Sequence, residues 1–236
     1  MAYVDIDTLY EEEGQEKVEV KDDYISVEEM AIVEMTVKKS RFIGLAFHVE
    51  SDDQVHDIVA NLRKSNKNAK HVCYAYILGE KMTTAKNSDD GEPAGSAGAP
   101  IFEAIKHYKL TNTLVVIVRY FGGIELGKSR LTRVYNAVAA GALAEAKKFK
   151  MVYCNEFEIK VSYQNYGAVS KLFTESSVHI IEQTNDESMP ILKIAVPVNA
   201  SDKVISSVRE KTRGAGIINK YGMGFYKFPY VINISE

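Results

Sequence analysis

At 236 residues, 46% hydrophobic and 26% charged, the chain has an ordinary globular composition and room for one large domain or two small ones. No apolar run reaches membrane-spanning length and no basic start precedes an apolar stretch in residues 1–30. The two cysteines, Cys73 and Cys154, are too few for a disulfide framework or a cysteine zinc site, so the reading is a cytoplasmic chain with two structural thiols.

The formal net charge of −3 is unevenly spread. Residues 1–23 carry nine acids against Lys17 and Lys21, residues 24–151 a net of +4, and residues 152–236 balance. The acidic head, poor in apolar residues, reads as a flexible arm. The mildly basic middle is compatible with an anionic partner but lacks the strong excess of a dedicated nucleic-acid binder.

In chain order, residues 31–37 and 41–49 read as a hairpin turned at Lys38-Lys39-Ser40. Ser51 is a helix N-cap, with Asp52 and Asp53 in the first turn and Val55, Ile58, Val59 and Leu62 at helical spacing, which predicts a helix over 52–65. Residues 71–78 read as a strand closed by Gly79. The stretch Asn87 to Pro100, with three acids and three glycines, reads as a shaped loop. Pro100 suits the first turn of a helix carrying Ile101, Ile105 and Tyr108.

The apolar run 113–118 is the central strand, ending on Arg119-Tyr120-Phe121-Gly122-Gly123. Beyond Gly127 a helix places Leu131, Val134, Tyr135, Val138 and Ala142 on one face. The pattern resets near Met151, which puts a domain boundary between Phe149 and Tyr153 and divides the chain into an arm (1–23) and domains at 24–150 and 152–236. The second domain reads as strand 155–163, helix 165–176, strands 178–184 and 190–198, helix 202–213 started by Ser201 and Asp202, and strand 225–234. Residues 214–224 form a loop or irregular edge strand. The order β-α-β-β-α-β is the ferredoxin-like pattern, so the fold class is α+β.

Four motifs bear on function. Gly122-Gly123-Ile124-Glu125-Leu126-Gly127-Lys128-Ser129 has P-loop spacing between a strand and a helix. No later strand offers the metal-binding aspartate, however, and the chain has no room for further parallel strands. Asp89, Asp90 and Glu92 suit either turn chemistry or a cation; Asp89 and Asp90 are neighbours and point apart on an extended backbone, which favours a shaped loop and no metal. Gly95-Ser96-Ala97-Gly98 permits close backbone approach to a ligand or to Gly122-Gly123. Arg119, continuing an apolar run, needs a carboxylate: either its own loop acids or an incoming anion. His71 opens a strand and reads as a structural histidine. The histidines form no metal set.

Lys39-Ser40-Arg41-Phe42-Ile43, His71-Val72-Cys73-Tyr74-Ala75-Tyr76, Ser88-Asp89-Asp90-Gly91-Glu92-Pro93 and Arg119-Tyr120-Phe121-Gly122-Gly123, in this order, closely resemble the YigZ/IMPACT family over about residues 30–145. The resemblance implies a first domain like the second domain of ribosomal protein S5 and a ferredoxin-like second domain similar to one in elongation factor G. Within the family it resembles, eukaryotic members are linked to translational control through an additional amino-terminal module, whereas bacterial members have no settled biochemical activity. This chain has Ser96 where the family usually has threonine. It reads Leu-Gly-Lys-Ser-Arg-Leu at 126–131 where Leu-Gly-Thr-Gly-Gly-Leu is commoner, so the P-loop match arises from that departure, which also adds Lys128 and Arg130 near Arg119.

Two function classes follow. The first is a non-catalytic, translation-linked module that binds RNA or a ribosome-associated protein. Its anion-binding set is Arg119, Lys128, Ser129, Arg130 and Arg133 with the loop residues Gly95, Ser96, Ala97, Gly98, Gly122 and Gly123, supported by Asp89, Asp90, Glu92, His71 and Tyr120. The second is an enzyme, such as a hydrolase, acting on a phosphorylated or carboxylated small molecule in the same cleft. Neither reading calls for a cofactor or a membrane.

Overall fold

The computed structural model of the protein describes residues 23–176, 178–185 and 189–230. All but the last residue of the expected arm, and the end of the expected strand 225–234, lie outside the described residues. The architecture is mixed α+β, built on two antiparallel sheets.

Strands β1 (Tyr24–Val27), β2 (Ala31–Val37) and β3 (Ser40–His48) open the described chain. The β2–β3 turn at Lys38 and Lys39 has φ of 44° and 66°, the left-handed geometry that matches the twist of a tight hairpin. Helix α1 (Asp52–Ser65) starts where the sequence places it: the Ser51 hydroxyl accepts from the Gln54 amide at 3.3 Å. Strands β4 (His71–Leu78), β5 (Thr84–Ser88) and β6 (Thr113–Tyr120) complete a sheet of order β2-β3-β6-β4-β5. Strand β5 takes the first two residues of the stretch read as a loop. Strand β6 runs two residues past the expected end, so Arg119 and Tyr120 are strand residues.

The continuous apolar run of β6 is explained by what covers it. Val115 and Ile117 point with Phe42 and Cys73 into a core closed by α2 (Gly98–His107) and α3 (Lys128–Glu145). Leu114, Val116 and Val118 point with Leu45 and Tyr76 toward α1. A strand buried on both faces cannot alternate in polarity, and each fully buried Leu, Ile or Val stabilises the fold by about 1.5–3 kcal/mol. Every pairing of β6 is antiparallel, unlike the parallel sheet behind a P-loop.

The second sheet holds β1 with β7 (Lys148–Lys160), β8 (His179–Asn185), β9 (Pro190–Pro197) and β10 (Ile217–Pro229): β10, β7, β9 and β8 lie in that order, and β1 pairs with the start of β7. Helices α4 (Tyr163–Glu175) and α5 (Ser201–Lys211) cover one face through Val169, Phe173, Val204 and Val208, packed on Phe157, Ile159 and Ile194.

Across the expected domain boundary at residues 149–153 β7 runs straight through, pairing with β10 along its length while β1 and then β9 share its other edge. The pattern reset near Met151 coincides with that change of neighbours along one strand. One expectation is corrected here: Ser201 does not cap α5. It is the first residue of the helix, and its hydroxyl turns back to the Pro197 carbonyl at 3.1 Å and receives the Asn155 amide at 2.8 Å. Of the two readings of residues 214–224, the irregular edge strand is found from Ile217 on: β10 begins there, ahead of the expected 225, and its glycines accommodate a register shift between Lys220 and Gly222. Asp23, last of the expected arm, accepts from the Tyr153 amide at 3.1 Å and pairs with Lys150 at 2.7 Å.

Candidate functional site

Side chains alternate along β6, so Arg119 and Tyr120 part company. Tyr120 faces α1, and its hydroxyl donates to the Asn66 side chain at 2.6 Å. Arg119 faces α3 and is only 4% exposed. Its guanidinium donates to the Glu92 carboxylate and reaches the Ser40 hydroxyl at 3.4 Å. It also lies over the rings of Phe42 and Phe121, 5.2 and 5.6 Å from their centroids. Glu92 is as buried as its partner and takes a second hydrogen bond from the Tyr135 hydroxyl of α3 at 2.8 Å. A buried arginine and carboxylate are tolerable only as such a pair. Nε of Arg119 has no partner among the described residues.

The acidic loop divides its carboxylates among distinct tasks. Asp89 receives the Gly95 amide at 2.7 Å on one oxygen and the Ala97 and Gly98 amides at 2.9 Å on the other. The anion these loop and helix-start amides hold is therefore the chain's own. Burial pushes the Asp89 carboxyl up, but the three amides and the charge of Lys128 more than reverse this, leaving it below the usual carboxylate range. Asp90 points the other way. It pairs with Arg63 and accepts from the Val72 amide at 2.5 Å, while its carbonyl meets Nδ1 of His71 at 2.8 Å. Cys73 lies beneath, its sulfur 3.0 Å from the Asp89 carbonyl and 3.5 Å from the Tyr135 hydroxyl. Burial pushes the Cys73 thiol up to about 12 and raises Tyr135 as well.

Above this buried layer opens a cleft of about 280 Å³. His71, Glu92 and Arg119 line it together with Gly91 and Pro93, the apolar Phe121, Leu126 and Leu131, and Lys70, Glu125, Gly127 and Lys128. Lys70 sits over the Phe121 ring, 4.6 Å from its centroid. Gly127 precedes α3 with φ 76° and ψ 150°, a conformation essentially confined to glycine. Helix α3 begins without a side-chain cap or an acid in its first turn, an end that favours negative charge.

The structure thus brings Arg119, Glu92, His71 and Lys128 to one cleft. Ser129, Arg130 and Arg133 are exposed along α3 and do not line it. Tyr120 lies on the opposite face of the sheet. Gly122 serves backbone approach: a β-carbon there would stand 2.1 Å from the Lys39 carbonyl carbon, and its amide donates to Ser40 at 3.2 Å. The Ser96 hydroxyl is buried without a partner among the described residues. Sequence reasoning missed Lys70, Phe121, Ser40 and the polar role of Tyr135. The one available signal was a tyrosine on an otherwise aliphatic helix face. No group of His, Cys, Asp and Glu among the described residues could hold a metal ion.

Comparison with known proteins places these features. The family model described as the Impact N-terminal domain matches residues 38–143, the span of the glycine loops, the cleft and most of α3. The protein called IMPACT family member YvyE from Bacillus subtilis is 40% identical over 112 residues, covering 48% of this chain and 52% of that one. An IMPACT family member of Thermus thermophilus is 31% identical over 178 residues, 75% of this chain and 96% of its own. A crystal structure described only as that of a hypothetical protein superposes with a TM-score of 0.55 at 24% identity, covering 85% and 98% of the two chains, a likeness of fold. A relative matched at 31% along nearly its whole length, with a family model spanning the cleft, makes the membership plain: this chain belongs to the IMPACT family.

Proposed function

We propose that this protein is a non-catalytic, translation-linked module that binds RNA, with the cleft beside α3 receiving part of the phosphate backbone. The observation that carries this reading is the division of charge at the site. The floor is neutralised internally by the Arg119–Glu92 pair. The cations at the rim, Lys70 and Lys128, with Arg130 and Arg133 along α3, form no ion pair among the described residues. Rim lysines above a satisfied floor suit an extended anion that passes over the cleft. Family membership supports the link to translation, and the fold reading fits it: residues 24–150 as a ribosomal protein S5 domain 2-like unit, residues 152–236 as a ferredoxin-like unit, joined through the unbroken β7.

The test is fluorescence anisotropy with a labelled single-stranded RNA across a salt series. Binding weakens steeply with salt, and Lys70→Ala or Lys128→Ala each lowers the slope by about 0.7, one phosphate contact on a single strand. Binding that is absent, or insensitive to salt, refutes the reading. The cluster of buried ionisable groups under the cleft favours a second reading, an enzyme acting on a small phosphorylated or carboxylated molecule. Saturable binding of such a compound with little salt dependence would support it over RNA.

A further inference from the structure

His71 carries a feature that the structural role expected for it does not use. Its Nδ1 lies 2.8 Å from the Asp90 carbonyl oxygen. A carbonyl can only accept, so Nδ1 carries the hydrogen, and in the neutral ring Nε2 is the unprotonated nitrogen. The tautomer is fixed by the acidic loop. Nε2 makes no hydrogen bond among the described residues: Glu92 Oε1 stands 3.8 Å away, beyond bonding distance and itself an acceptor. Oε1 of Glu92 is taken by Arg119 and Tyr135, and Glu125, the other carboxylate on the cleft, is exposed. His71 Nε2 is thus a buried ring acceptor on the cleft wall, held in place by the Asp90 carbonyl and without a hydrogen-bond partner among the described residues.

We infer that His71 Nε2 accepts a hydrogen bond from the ribose 2′-hydroxyl of a nucleotide whose phosphate rests on Lys128, so that the cleft distinguishes RNA from DNA. This rests on the RNA-binding reading above and adds the group that is recognised. The chemistry fits because the 2′-hydroxyl is a donor placed one sugar away from a phosphate, and it is the group that separates the two nucleic acids. The acceptor also fixes the direction of the bond. A sugar oxygen that cannot donate gains nothing from Nε2.

The experiment compares three labelled oligonucleotides of one sequence, single-stranded RNA, single-stranded DNA and 2′-O-methyl RNA, against the full chain and His71→Asn. Asparagine keeps a donor for the Asp90 carbonyl but removes the acceptor at Nε2, and the melting temperature is recorded beside each titration. The expected result is RNA bound roughly three- to tenfold more tightly than DNA, the worth of one hydrogen bond. The methylated strand groups with DNA, and H71N removes the preference for RNA over DNA. Equal binding of RNA and DNA by the wild-type chain overturns the inference and leaves the RNA-binding reading standing. Methylated RNA bound as tightly as RNA also overturns it, and needs no variant to fold. Failure to bind any of the three overturns the reading beneath it.

Discussion

Removing the Arg119 side chain tests the arrangement on which the whole site depends. In Arg119→Ala the Glu92 carboxylate, whose side chain is 3% exposed, loses its charged partner and keeps only the Tyr135 hydroxyl at 2.8 Å. The packing of the guanidinium on Phe42 and Phe121 goes as well. Breaking a buried pair from one side costs about 3–5 kcal/mol, and that is the loss expected here. Lys128→Ala, an exposed cation in no ion pair among the described residues, should stay within about 0.5 kcal/mol. Taking the charge from both sides, Arg119→Met with Glu92→Gln, should return most of the loss, since a neutral buried pair no longer needs compensation. Urea unfolding reads this as shifts in midpoint at constant slope. A loss below about 1 kcal/mol in Arg119→Ala, the range of exposed pairs, would falsify the reasoning, as would a double variant no more stable than the single one.

Asp89→Asn should cost about 1–2 kcal/mol at neutral pH, because an amide group cannot accept from Gly95 and from Ala97 and Gly98 together. The sign with pH follows from the depressed folded-state value. The stabilisation is present above the ordinary carboxylate range and fades as pH falls below about 4, so the variant should show a shallower acid limb in stability against pH, and an unchanged limb contradicts the assignment. The thiols of Cys73 and Cys154, each pushed up to about 12 by burial, should resist a thiol-specific disulfide reagent at pH 8 in the native protein and react fully in urea; rapid labelling of the native chain would show that one of them is open to solvent.

Much of this molecule is written in local patterns. Helix α1 follows from Ser51, two acids and a 3.6-residue apolar repeat. The both-sided burial of β6 follows from its unbroken apolar run, and the β-α-β-β-α-β order of the second half follows from alternating periods. The four motif blocks also sufficed to identify the family. What the local pattern could not show is which charge meets which. Glu92 and Arg119 are 27 residues apart, and either could equally have faced solvent or a ligand until α3 brought Tyr135 over them. The glycine-rich amides could have held a ligand phosphate, and the turn of the loop gave them Asp89 instead. The change of pattern at Met151 did not show that one strand continues through it, exchanging β1 for β9 along one edge without breaking its own backbone. Local sequence sets dihedral preference and apolar period, which act over a few residues. Ion pairing, tautomer and strand edge are set by contacts closed across tens of residues, and only the packed tertiary structure decides among them.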